Sequence, residues 1–95
     1  EVASHVLPKG AEVILFGSRA RGDARTDSDW DILILIDGGK ATGEDFEKFA
    51  YPFVDYGWSV GEQINPLIYS FEDWSKRSIT PFYKNVQLEG VRLCH

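Results

Sequence analysis

Glu12-Val13-Ile14-Leu15-Phe16-Gly17-Ser18-Arg19-Ala20-Arg21-Gly22 and, eleven residues after Ser18, Asp29-Trp30-Asp31-Ile32-Leu33-Ile34-Leu35-Ile36 decide how this 95-residue chain is read. The first run opens with a short β-branched, apolar segment, Glu12 to Phe16, of the kind that forms a buried strand. Gly17-Ser18 breaks it. Ser18 to Arg21 then reads as one or two helical turns with Ser18 as N-cap, and Gly22 to Ser28 as a polar loop. The second run, Trp30 to Ile36, is the strongest strand signal in the chain and stops at Asp37-Gly38-Gly39.

Working outward, Val2, Val6 and Leu7 before Pro8-Lys9-Gly10 read as the end of a helix, with residues 1–7 taken as the remnant of a longer one. Thr42 to about Trp58 reads as a helix. Its Phe46, Phe49, Phe53 and Tyr56 fall on one face, and Pro52 is expected to kink or split it. Ile64 to Tyr69 is a third strand. Pro66 within it cannot donate to a ladder, which predicts an edge position. Ser70 with Asp73 begins a helix over 71–77. Thr80-Pro81 opens a last helix to about Leu88, stopped by Gly90. The succession α, β, α, β, α, β, α, α predicts a single α/β (α+β) domain over residues 1–95. The expected form is a small mixed β-sheet of three or four strands, with helices packed mainly on one face.

Charge is distributed unevenly. Residues 1–28 balance, residues 29–75 hold ten acidic and two basic side chains, and residues 76–95 hold four basic and one acidic. An acidic chain without a broad basic surface is a poor candidate for general nucleic-acid binding. No apolar run approaches the roughly 20 residues of a membrane span, so no membrane association is expected. With Cys94 as the sole cysteine, no disulfide forms within the chain, which fits a cytoplasmic protein. His5, His95 and one cysteine make no zinc pattern.

The chemistry lies in the two quoted runs. Asp29 and Asp31 are two apart, so both carboxylates point to one face while Trp30 points to the other. Two neighbouring carboxylates repel unless something positive sits between them, and a hard divalent cation with oxygen ligands, Mg²⁺ above all, does that. Taken alone, such a pair is usually a loop cap and a solvated strand residue. It does not stand alone. Gly17-Ser18 sits at a strand-to-helix junction where glycine allows a phosphate to approach the backbone. The helix start there presents N–H groups and a partial positive charge, and Arg19 and Arg21 bring cations to the same segment.

Leu15-Phe16-Gly17-Ser18-Arg19-Ala20-Arg21-Gly22 followed by Ser28-Asp29-Trp30-Asp31-Ile32-Leu33-Ile34 resembles the nucleotidyltransferase signature of the DNA polymerase beta superfamily. The Gly-Ser-Arg-Ala-Arg-Gly wording is similar to its minimal, antitoxin-like members. Ile64-Asn65-Pro66-Leu67-Ile68-Tyr69-Ser70 and Thr80-Pro81-Phe82-Tyr83-Lys84-Asn85-Val86 add to the likeness. The resemblance implies the nucleotidyltransferase fold and a nucleoside triphosphate, ATP, as substrate. It further implies two Mg²⁺ ions, and transfer of the nucleotidyl group to a hydroxyl acceptor with release of pyrophosphate. It assigns Gly17 and Ser18, with Arg19 beside them, to the triphosphate, and Asp29 and Asp31 to catalysis and metal binding. Small members of the group pair with a helical HEPN-type protein in toxin–antitoxin systems, which implies a partner of that kind.

The superfamily carries a third carboxylate on the next strand, and the matching position here is Asn65. Gln63 on the same face is another amide, while alternation turns Glu62 to the opposite face. An amide oxygen ligates a cation but does not accept a proton at neutral pH. Two functions therefore follow from the residues. One is a transferase acting on a partner protein or small molecule. The other is a catalytically weak nucleotide-binding antitoxin module. The acids of the 42–58 helix, Glu44, Asp45 and Glu47, with Lys48, read as its solvated face. Trp30, Trp58 and Trp74 read as core or interface anchors, with base stacking as the alternative for one of them.

Overall fold

A computed structural model of the chain describes residues 7–8, 10–22 and 29–94. The helix end expected before Pro8, Leu7 apart, and most of the loop expected over 22–28 lie outside these residues. The described elements are β1 (Glu12–Phe16), α1 (Ser18–Arg21), β2 (Trp30–Ile36), α2 (Gly43–Asp45) and a π-helical segment (Phe46–Ala50). They continue through α3 (Tyr51–Ser59), β3 (Ile64–Ser70), α4 (Phe71–Ser75) and α5 (Pro81–Glu89) to β4 (Val91–Cys94).

The four strands form one mixed sheet in the order β3-β2-β1-β4. β2 runs antiparallel to β1 and parallel to β3, and β4 runs antiparallel to β1. The three expected strands lie together as read, and Val91–Cys94 supplies a fourth. β3 is an edge strand, as Pro66 predicts. The Trp30 N–H donates to the Gln63 carbonyl (2.9 Å). In a parallel ladder alternate residues face the partner strand, so Asn65 faces β2 and Pro66 turns its missing donor to the free edge.

Alternation along β1 and β2 sorts the core into two layers. Val13, Leu15, Ile32, Ile34 and Ile36 pack on one face with Ala50 and Phe53, and with Phe46, Phe49, Ile64 and Ile68 half-buried around them. Leu33 and Leu35 pack on the other face with Trp74 and Val86, flanked by Phe16, Tyr69, Phe82 and Tyr83. The longest helical stretch, 43–59, covers the first face, but helices are not confined mainly to one face as the sequence led one to expect. The shorter α4 and α5 cover the second. This double cover explains why Ile32 to Ile36 is apolar at every position rather than at alternate ones. Each of these buried Leu or Ile side chains contributes about 1.5–3 kcal/mol.

The helix over 43–59 does not break at Pro52 but changes pitch before it. Proline offers no N–H to the Lys48 carbonyl, and the ladder widens so that Tyr51 N–H reaches Phe46 O. Helix starts follow the sequence. Thr42 and Asp45 form a capping box, Ser70 Oγ accepts from Asp73 N–H, and Thr80 Oγ1 accepts from Tyr83 N–H. One cap differs from expectation. Gly17, with φ 78° and ψ −159°, is the N-cap of α1, and Ser18 is its first residue with no side-chain cap bond. The chain leaves β1 through a conformation open essentially only to glycine, which moves the cap one residue back.

Candidate nucleotide and metal site

The end of β1, the start of β2 and the start of β3 meet at one corner of the sheet. The register pairs Phe16 with Asp31 and Asp31 with Asn65. Asp31 shares the face of Leu33 and Leu35, and Asn65 shares that of Tyr69, so both point to the α4/α5 side. Asp29 precedes the strand by one residue, and alternation brings it to that side as well. There the Asn65 amide Nδ2 donates to Asp29 Oδ2 at 2.9 Å. Gln63 Nε2 in turn donates to Asn65 Oδ1 at 3.4 Å. Three of the four residues expected on this face are thus linked by hydrogen bonds, across 36 residues of sequence in the case of Asn65 and Asp29, and Asp31 stands opposite Asn65 in the register.

Gly17 closes the corner from the β1 side. A Cβ there would stand 2.6 Å from Asp31 Oδ2 and 3.4 Å from its carboxyl carbon. The turn and the carboxylate are in contact, and only the absence of a side chain at position 17 permits it. α1 follows directly, with the Ala20 and Arg21 N–H groups both bonded to the Gly17 carbonyl (3.1 and 3.2 Å). The Ser18 and Arg19 N–H groups ahead of them fall outside the helix's own ladder.

The donor set for a cation consists of the two carboxylates, hard oxygen donors that fit a divalent cation such as Mg²⁺, while Asn65 turns its NH₂ group toward Asp29. Among the described residues no group of three or more His, Cys, Asp or Glu side chains is placed to hold a metal. Among the described residues no further carboxylate therefore stands at the corner, and the position opposite Asp31 is held by Asn65. Glu62 does not supply it. It lines a cleft with Trp30, Ile32 and Ile64 on the opposite face, as alternation predicts.

Arg19, expected among the triphosphate contacts, also lies toward that opposite face. Its guanidinium stacks 4.3 Å from the Trp30 ring centre and stands 3.9 Å from the Glu62 carboxylate. The alternation that separates Trp30 from Asp29 and Asp31 carries Arg19 with Trp30. Of the three tryptophans, Trp74 is core, Trp30 is half-buried under Arg19, and Trp58 is exposed. Two features of the corner escape a reading of the sequence. A groove of about 140 Å³ borders Gly17 and is lined by Phe16, Phe82, Asn85 and Glu89. Across it Arg21 pairs with Glu89 at 3.3 Å. No local signal joins residues 68 positions apart.

Comparison with known proteins agrees with this geometry. Residues 1–87 match the nucleotidyltransferase domain family. A protein of Methanocaldococcus jannaschii named "Putative protein adenylyltransferase" is 37% identical over 79 residues, covering 83% of this chain and 73% of that protein. A crystal structure of a toxin–antitoxin with AMP-PNP shares the fold, with a TM-score of 0.63 and 18% identity over 96% of this chain. The chain spans 65% of that structure's chain. No described helix is long and apolar enough to cross a membrane. With the family matched over most of its length, and with the Gly-Ser turn seated against the Asp-x-Asp strand, the chain belongs to the nucleotidyltransferase domain family.

Proposed function

We propose that this chain binds a magnesium–nucleoside triphosphate, ATP, at the corner formed by Gly17, Ser18, Asp29 and Asp31, and transfers its nucleotidyl group to a hydroxyl on a partner protein. The observation that carries the reading is the contact between the Gly17 turn and the Asp31 carboxylate, since a phosphate chain bearing a cation can engage both at once. In this reading Gly17 and Ser18 hold the triphosphate oxygens through backbone N–H groups and the Ser18 hydroxyl. Asp29 and Asp31 hold the cation that travels with the nucleotide. When bound, magnesium neutralises the triphosphate and stabilises charge that builds on the leaving pyrophosphate. The acceptor oxygen forms a bond to the α-phosphorus, the bond from that phosphorus to the bridging oxygen breaks, and pyrophosphate leaves. Arg19 supports rather than contacts: stacked on Trp30 and facing Glu62, it fixes the outer side of the turn and adds positive potential behind it.

The toxin–antitoxin neighbour and the adenylyltransferase relative support a protein acceptor, and we propose a helical partner of the HEPN type in the cytoplasm. The Asn65–Asp29 hydrogen bond favours a second reading. With an amide in place of a carboxylate, the chain binds nucleotide and partner and transfers slowly or not at all, acting as an antitoxin by binding. Calorimetry with Mg-ATP tests the shared core of both. Asp31→Ala should weaken binding at least tenfold through loss of a charged ligand, and unchanged affinity would remove the site assignment. Pyrophosphate release in the presence of the neighbouring gene's product separates the two readings.

A further inference from the structure

At the acceptor side of the corner the side chains are already committed. Asn65 turns its NH₂ group to Asp29 Oδ2 (2.9 Å) and its oxygen to Gln63 Nε2 (3.4 Å). The end of Asn65 that faces the carboxylate pair is therefore a donor, and an N–H₂ group cannot ligate a cation. Rotating the amide to present its oxygen would break the bond to Asp29. It would also set the Asn65 NH₂ against the donor end of Gln63, so two contacts stabilise the orientation seen. The contact is partly buried, where an unmade hydrogen bond costs more than in water. Magnesium demands near-ideal octahedral oxygen geometry and gives up water reluctantly, so one shared carboxylate beside an N–H donor is a poor site for it.

Resting on the nucleotide-site reading above, we infer that the corner holds a single divalent cation, shared by Asp29, Asp31 and the triphosphate, and that the Asn65 amide stands where the family resemblance puts a second. The amide takes over part of a cation's task, because its N–H partial charge offsets the repulsion between Asp29 and Asp31. It does not take over activation of the acceptor. Among the described residues no further carboxylate stands beside Asn65 to take the hydroxyl proton.

Manganese and α,β-methylene-ATP, which binds without reacting, test the count. Free Mn²⁺ is followed by electron paramagnetic resonance as protein is titrated. The wild-type chain should bind one manganese per nucleotide, without the spectral broadening of two coupled ions. Asn65→Asp should bind two, the second about tenfold or more tighter than any second ion in wild type, since it adds a full charged ligand. Asn65→Leu, which removes the amide without adding charge, should keep the count at one. Two ions in the wild type, or no added ion in a folded Asn65→Asp, would overturn the inference and leave the nucleotide site standing. A count of zero in Asn65→Leu would make Asn65 a ligand of the single ion and likewise overturn it. Should wild type bind no manganese–nucleotide and Asp31→Ala change nothing, the site reading itself falls, and this inference with it.

Discussion

Replacing Gly17 by alanine adds one methyl group, and the structure sets its consequences in two separable parts. The first is conformational. At φ 78° and ψ −159° position 17 lies in a region held essentially by glycine, where another residue costs about 1–3 kcal/mol. For a domain of this size each kcal/mol lowers Tm by about 4–8 °C, so a fall of roughly 5–20 °C is expected. The second is steric. The new Cβ meets Asp31 Oδ2 at 2.6 Å, well inside contact distance, so the carboxylate must swing off the position from which it would hold a cation. Affinity for Mg-ATP should fall at least tenfold, beyond what lost stability explains. Gly22→Ala is the control. Its φ of 81° is also left-handed, but no atom of the described residues lies within 4 Å of the added Cβ. It should lower Tm by a comparable amount while leaving Mg-ATP affinity within about twofold. Thermal melts and calorimetry on both folded variants decide the matter. If Gly17→Ala binds Mg-ATP as tightly as wild type, or if Gly22→Ala loses as much affinity, the contact between turn and carboxylate is not what shapes the site.

Two further outcomes follow from particular side chains. Ser18→Ala should weaken Mg-ATP binding by about 1 kcal/mol, roughly fivefold, because one neutral donor is lost; titration calorimetry that finds no change would remove Ser18 from the triphosphate contacts. Trp74→Ala should cost about 3–5 kcal/mol in urea denaturation, since the residue is 5% exposed and its ring packs tilted against Tyr69 and Tyr83 and edge-on to Phe82; a cost below about 1 kcal/mol would contradict the second core layer.

Residue order alone determined the elements and the nature of the site. Strands at 12–16, 30–36 and 64–69, the helix starts at Thr42, Ser70 and Thr80, and the edge position implied by Pro66 all depend on properties expressed within a few residues: hydrophobic period, side-chain oxygens, a missing N–H. The pairing of Asp29 with Asp31 and the turn at Gly17-Ser18 are local in the same sense. What lay beyond that reach was the match between segments. Only the parallel register of β2 and β3 sets Asn65 opposite Asp31 and in hydrogen bond with Asp29, and a one-residue slip would have turned Glu62 or Ile64 to that side instead. Only the assembled sheet shows that Arg19 follows Trp30 to the far face, that α4 and α5 cover the near one, and that Val91–Cys94 completes the sheet beside β1. A backbone conformation at one glycine moved the cap of α1 from Ser18 to Gly17. Spacing fixes which face of its own strand a side chain takes, whereas its neighbour across the sheet is chosen by packing of the whole chain, which no single segment encodes.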